Sequence, residues 1–216
     1  MRLSQIEFSS LLSYSPKGTS DEAKRSKDAM LALKNDTFID DPPVIISQWV
    51  ANNIKQNKDT LPFSSYFQAD SVLVPTPKSS LMLPNTLWVP ERIASAIVRA
   101  GLAKEVLPCL SRITPVHKAA TSLAQDRPKP ADHYRTISVQ KPLNQPSKII
   151  LIDDIITRGS TLLGAANRLA DILPNTPIHA FAAMRTISNP SEFNKIYDPC
   201  KGEITLRSSG DTLRRP

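Results

Sequence analysis

The apolar residues of this chain fall into short runs and helix-spaced sets, separated by clusters rich in proline and hydroxyl side chains. Ile149 to Ile152 form an unbroken aliphatic run, the pattern of a strand buried on both faces inside a parallel sheet. Asp70-Ser71-Val72-Leu73-Val74 reads as a second such strand, which Pro75-Thr76-Pro77-Lys78 ends because proline cannot continue a central ladder. Glu105 to Leu110, Ile178 to Ala183 and Glu203 to Leu206 are further strand candidates.

Between these runs the period changes. Leu162, Ala165, Ala166, Leu169, Ile172 and Leu173 recur at helical spacing until Pro174 stops the pattern. Pro90 suits the first position of another helix and Glu91 its first turn, and Ile93, Ala96, Ile97 and Ala100 line one face before Gly101 closes it. Ser20-Asp21-Glu22 starts a charged helix reaching Leu33, and Val44 to Ile54 a shorter apolar one. Strands and helices alternate, which predicts an α/β fold with a parallel β-sheet flanked by helices. The core is expected over 66–187, after a partly helical N-terminal extension at 1–65 and before a variable hood or tail at 188–216.

Charge narrows the partners. Lys and Arg number 27 against 20 Asp and Glu, and the formal net charge of +7 suits a polyanionic ligand, either a multiply charged small molecule or nucleic acid. The two cysteines, Cys109 and Cys200, lie far apart without a CxxC partner, so neither a zinc ribbon nor a disulfide framework is expected, and a reducing compartment is. No apolar stretch approaches the roughly 20 residues of a membrane span, and Met1-Arg2-Leu3-Ser4 leads into no signal core, so a cytoplasmic protein without membrane contact is expected. From Arg112 to Lys148 seven Lys or Arg stand against two Asp, with five prolines, His117 and His133. That composition reads as a long mobile basic loop over 112–147, placed either to close over a site as a lid or to lie solvated at the surface.

The candidate chemistry lies where the aliphatic run ends. The chain continues Asp153-Asp154-Ile155-Ile156-Thr157-Arg158-Gly159-Ser160-Thr161 into the helix that begins near Leu162. Free N–H groups and the dipole at a helix start favour an anion, and Gly159 lets the backbone turn and approach it, so a phosphate fits between Thr157 and Thr161. Asp153 and Asp154 are acceptor-only groups suited to vicinal sugar hydroxyls or a divalent cation. The plainer alternative is a capped helix after a buried strand with two loop acids. A metal-dependent phosphohydrolase needs more acids near strand ends than the sequence offers.

This stretch resembles the signature loop of the type I phosphoribosyltransferases, in which an apolar strand ends in paired acids followed by a Thr-x-Gly-x-Thr phosphate cradle. Order and spacing from about Asp70 to Arg185 are most similar to the ComF-like, competence-associated branch, without the cysteine-rich zinc module that many of those proteins carry at the N-terminus. The resemblance implies binding of 5-phosphoribosyl 1-diphosphate with Mg²⁺ and transfer of ribosyl phosphate to a nitrogen acceptor such as a nucleobase, with release of diphosphate. It implies Asp153 and Asp154 as catalytic and metal-binding groups, Thr157, Arg158, Gly159, Ser160 and Thr161 around the 5-phosphate, and Thr76, Lys78 and Ser79 on the diphosphate. Arg112, Lys118 and Arg127 of the basic loop are the implied lid contacts. Phe193 and Tyr197 either stack on the acceptor or, four residues apart, pack along a helix. The competing reading is a non-catalytic sensor of a phosphoribosyl ligand that binds nucleic acid, with Arg214-Arg215 adding charge. Partnership with a second copy of the chain, as a homodimer, stays open.

Overall fold

The computed structural model describes residues 1–40, 42–117 and 127–216. The elements run β1 (Gln5–Tyr14), α1 (Asp21–Asn35), β2 (Phe38–Ile39), β3 (Val44–Ile45), α2 (Ile46–Gln56), β4 (Ser71–Pro75), α3 (Val89–Arg99), β5 (Glu105–Val106) and β6 (Leu110–Arg112). There follow α4 (Pro130–Thr136), β7 (Ile137–Val139), β8 (Lys148–Ile156), α5 (Ser160–Ile172), β9 (Ile178–Thr186), β10 (Tyr197–Leu206) and β11 (Thr212–Arg215). Seven strands form one sheet in the order β11-β10-β1-β9-β8-β4-β5. From β1 to β5 all neighbours are parallel, whereas β10 and β11 add antiparallel pairs at one side. The protein is therefore α/β, with a mostly parallel central sheet.

Alternation along the strands explains why both faces are covered. Ile150 and Ile152 of β8, Leu73 of β4 and Phe181 of β9 enter one core with Leu33, Val50, Ile54, Ile93 and Ile97 of α1, α2 and α3. Their neighbours Ile149, Leu151, Val74 and Ala180 enter a second core with Leu162, Ala166 and Leu169 of α5. A continuous aliphatic run is what a strand sandwiched between two helical layers requires.

Several expectations change. Residues 1–65, read as an extension, supply β1, which pairs on both sides in the sheet interior: Phe8 faces Ala180 of β9 and Gly202 of β10. The expected strand from Glu105 to Leu110 divides, because Pro108 lacks an N–H; β5 stays in the sheet, while β6 leaves to pair with β7. The basic segment is not structureless among its described residues, since it holds α4 and β7, and α4 packs on α5. Phe193 and Tyr197 share no helix: Phe193 follows the turn Pro190–Glu192, and Tyr197 opens β10. No helix among the described residues is long and apolar enough to cross a membrane.

Candidate functional site

The carboxyl ends of four parallel strands meet at one sheet edge. Pro75 of β4 pairs with Ile152 of β8, Ile156 of β8 with Arg185 of β9, and Thr186 of β9 with Tyr14 of β1. Above this edge opens a cavity of about 610 Å³. In open α/β sheets ligands bind outside the carboxyl ends of the strands. The cavity is lined by Asp153, Asp154, Thr157 and Thr161 from the motif and by Thr76, Lys78 and Ser79 from the loop after β4. Arg112, Tyr14, Lys34, Ser80 and His133 complete its polar wall.

Asp153 is half-buried among the cavity's lining residues. Thr76 Oγ1 donates to its Oδ1 at 3.0 Å, and the Asp154 backbone N–H donates to the same oxygen at 3.0 Å. Desolvation at the cavity floor, followed by repulsion from the Asp154 carboxylate, raises the Asp153 pKa well above the usual carboxylate value, and the Thr76 hydrogen bond opposes the rise. Asp154 receives the Ile155 N–H on Oδ1 at 2.8 Å and faces Lys34 Nζ on Oδ2 at 3.4 Å. The site thus pairs a desolvated acid that resists ionisation with a second half-buried acid that faces Lys34.

The turn after β8 is shaped from behind. Gly159 caps α5 with φ +84°, the left-handed region, and a Cβ there would meet Ile204 Cδ1 of β10 at 2.7 Å. No side chain caps α5, so the first N–H groups of the helix are left for an anion. Thr157 Oγ1 lies 3.1 Å from Thr186 Oγ1. Ser160 Oγ lies 3.0 Å from Thr212 Oγ1, and Arg158 pairs with Asp211. Gly159, Ser160 and Arg158, all expected around a phosphate, do not line the cavity with their side chains. They tie the turn to the β10–β11 hairpin instead.

The front of the site is held by Arg112 of β6 and His133 of α4. Arg112 is buried, and its Nε donates to the Lys78 carbonyl at 2.9 Å and its Nη2 to His133 Nδ1 at 3.2 Å. Because guanidinium can only donate, His133 accepts at Nδ1, and the neutral ring carries its proton at Nε2, 3.4 Å from Thr161 Oγ1. Burial, and then the Arg112 charge, push the His133 pKa down to about 4, so the ring stays neutral near pH 7. The Val116 N–H donates to the Ser79 carbonyl at 2.9 Å, which fastens the segment after β6 to the loop after β4. Arg112 therefore braces two loops rather than waiting on a free lid. Arg127 does not line the cavity, and Lys118 lies outside the described residues.

Tyr14, Lys34 and His133 line the cavity without having been singled out in the sequence. Tyr14 ends β1, a strand that three serines disguise. Lys34 stands in the last turn of α1, one residue past the expected end of that charged helix. His133 lies in the proline-rich basic segment, where nothing in the spacing separates a buried histidine from an exposed one. Phe193 and Tyr197 are not among the lining residues. No model of a known protein family matches the chain, and no curated protein matches it.

Proposed function

We propose that the chain is a phosphoribosyltransferase of the type I kind, taking 5-phosphoribosyl 1-diphosphate as donor and a nitrogen nucleophile as acceptor. The observation that carries this reading is the convergence of three chemically distinct groups on one cavity: the acid pair, Thr157 and Thr161 at the two ends of the turn into α5, and Thr76, Lys78 and Ser79. Those groups match the hydroxyls, the 5-phosphate and the diphosphate of a single ligand. The net charge of +7 supports the same choice.

In this reading Asp153 and Asp154 bind the ribose hydroxyls and set negative charge beside C1 as the bond to diphosphate lengthens and the sugar becomes cationic. Thr157 and Thr161, with the N–H groups of the α5 start, hold the 5-phosphate and fix the sugar in register. Lys78 places a compact positive charge against the departing diphosphate. Arg112 keeps the Lys78 carbonyl in place, and His133 holds the Thr161 hydroxyl.

The donor set fits magnesium, which is usually held by one or two carboxylates together with substrate phosphates. Among the described residues no group of three or more His, Cys, Asp or Glu side chains gathers to hold a cation. Asp153 and Asp154 would therefore hold the ion jointly with the donor. When bound, it supplies charge neutralisation to the diphosphate.

Titration calorimetry with 5-phosphoribosyl 1-diphosphate and Mg²⁺ tests the reading. Wild type should bind, and the Asp153→Ala/Asp154→Ala variant should lose at least tenfold in affinity. Equal affinity in the two proteins sinks the assignment.

A further inference from the structure

We infer that Arg214 of the last strand is a positioning residue for the phosphate turn, acting through the orientation of one peptide plane. The inference rests on the reading of residues 157–161 as a 5-phosphate cradle. Arg214 Nε donates to the Thr157 carbonyl at 2.9 Å, and its Nη2 donates to the Thr186 carbonyl at 2.7 Å. One guanidinium thus joins the exit of β9 to the first residue of the turn. A forked, planar donor suits two diverging carbonyls in a way that a single ammonium does not.

The consequence follows from peptide geometry. In a trans peptide the C=O and the following N–H point in opposite directions across one rigid plane. Drawing the Thr157 oxygen toward Arg214 turns the Arg158 N–H to the opposite side of that peptide plane, away from the guanidinium. That N–H then joins the uncapped N–H groups of α5 in facing an anion. The other hairpin contacts act in the same sense: Asp211 holds the Arg158 side chain back, Thr212 holds Ser160, and Ile204 fills the space against Gly159. The cradle is held in shape before any ligand arrives, so little ordering remains to be done on binding.

Arg214 also stands out for its own environment. Its Nη1 is buried without a hydrogen-bond partner, and its guanidinium lies 5.5 Å from the centre of the Phe8 ring. A cation held against an aromatic face with one donor unsatisfied has been placed for geometry rather than for solvation. The diphosphate end of the cavity, at Thr76, Lys78 and Ser79, makes none of these contacts.

The test compares two fragments of the donor. Ribose 5-phosphate reports on the turn, and diphosphate with Mg²⁺ reports on the other end. Calorimetry on wild type, Arg214→Gln and Arg214→Lys, with thermal melting alongside, separates the outcomes. Arg214→Gln is expected to lose at least tenfold in affinity for ribose 5-phosphate while staying within twofold for diphosphate. Arg214→Lys, able to reach one carbonyl at a time, should fall between. If Arg214→Gln does not fold, the lysine variant alone decides by the same selective loss. A parallel loss of both fragments, or no loss of either, overturns the inference. A wild type that binds 5-phosphoribosyl 1-diphosphate but not ribose 5-phosphate also overturns it, without touching the donor assignment. A wild type that binds none of the three ligands removes the cradle reading itself and this inference with it.

Discussion

Asp153 stands at the cavity floor with a desolvated carboxyl, a second acid beside it and one hydroxyl donor from Thr76. An acid whose pKa is raised on folding binds its proton more tightly in the native state. Its contribution to stability is complete below the ordinary carboxylate pKa of about 3.9 and is lost as pH climbs through the raised value. Near neutral pH the ionised group therefore works against folding. Asp153→Asn keeps an acceptor for Thr76 and removes the charge, so it should melt higher than wild type at pH 7.5, with the advantage vanishing toward pH 3.5. Differential calorimetry across that range checks it, and a constant offset between the two proteins would contradict the assignment. The residue types at 153 and 154 were legible in the sequence as paired acceptors. Their inequality was not, because it depends on the desolvation of Asp153 by the folded cavity and on Lys34, which lies 120 residues away from Asp154.

Helix α4 shows what an element needs when its own sequence cannot sustain it. Seven residues are too few for a stable isolated helix, so its order depends on packing against α5. Gly164 permits the contact: a Cβ there would lie 2.6 Å from His133 Cβ and 2.7 Å from the Pro130 carbonyl oxygen. Replacing a mid-helix glycine with alanine favours the helix by roughly 0.5–1 kcal/mol. Overpacking a close contact costs about 1–3 kcal/mol, and here one of the opposing atoms is backbone. The clash should win. Gly164→Ala is expected to lower stability in urea titration and to free His133, whose titration followed by NMR should move from about 4 toward the ordinary value. A protein of unchanged stability with His133 still depressed would refute this account. The contrast with β8 and α5 explains which elements were readable. Ile149 to Ile152 and the set from Leu162 to Leu173 carry their period in consecutive residues. Helix α4 lies among prolines and basic residues and takes its stability from a partner the local sequence does not reveal.

Across the whole molecule, the sheet joins the two ends of the sequence. Strand β1 sits between β9 and β10, and the apolar pattern around Phe8 and Leu12 gave no hint of it, because Gln5, Glu7, Ser9, Ser10 and Ser13 interrupt the strand. Burial reconciles those serines with the interior: Ser13 Oγ donates to the Lys195 carbonyl at 2.8 Å, and Ser10 Oγ lies 3.3 Å from Cys200 Sγ. A chain beginning at residue 66 would leave β9 and β10 without the strand that joins them and would uncover Phe181 from its core. It is expected not to fold cooperatively, and poor amide dispersion in a proton–nitrogen NMR spectrum would show it. A well-dispersed spectrum would instead mark 66–216 as an autonomous unit.

This placement also sets a timetable for biosynthesis. Strand β1 leaves the ribosome well before either of its neighbours, both of which lie beyond residue 177. At about 5–20 residues per second, β1 waits roughly 10 to 30 s with neither edge paired. An aliphatic strand such as β8 would be a hazard during such a wait, because exposed apolar strands seed intermolecular pairing. The serines that hide β1 from a pattern search also make it a poor seed, and the nascent chain can carry it in water until its partners arrive.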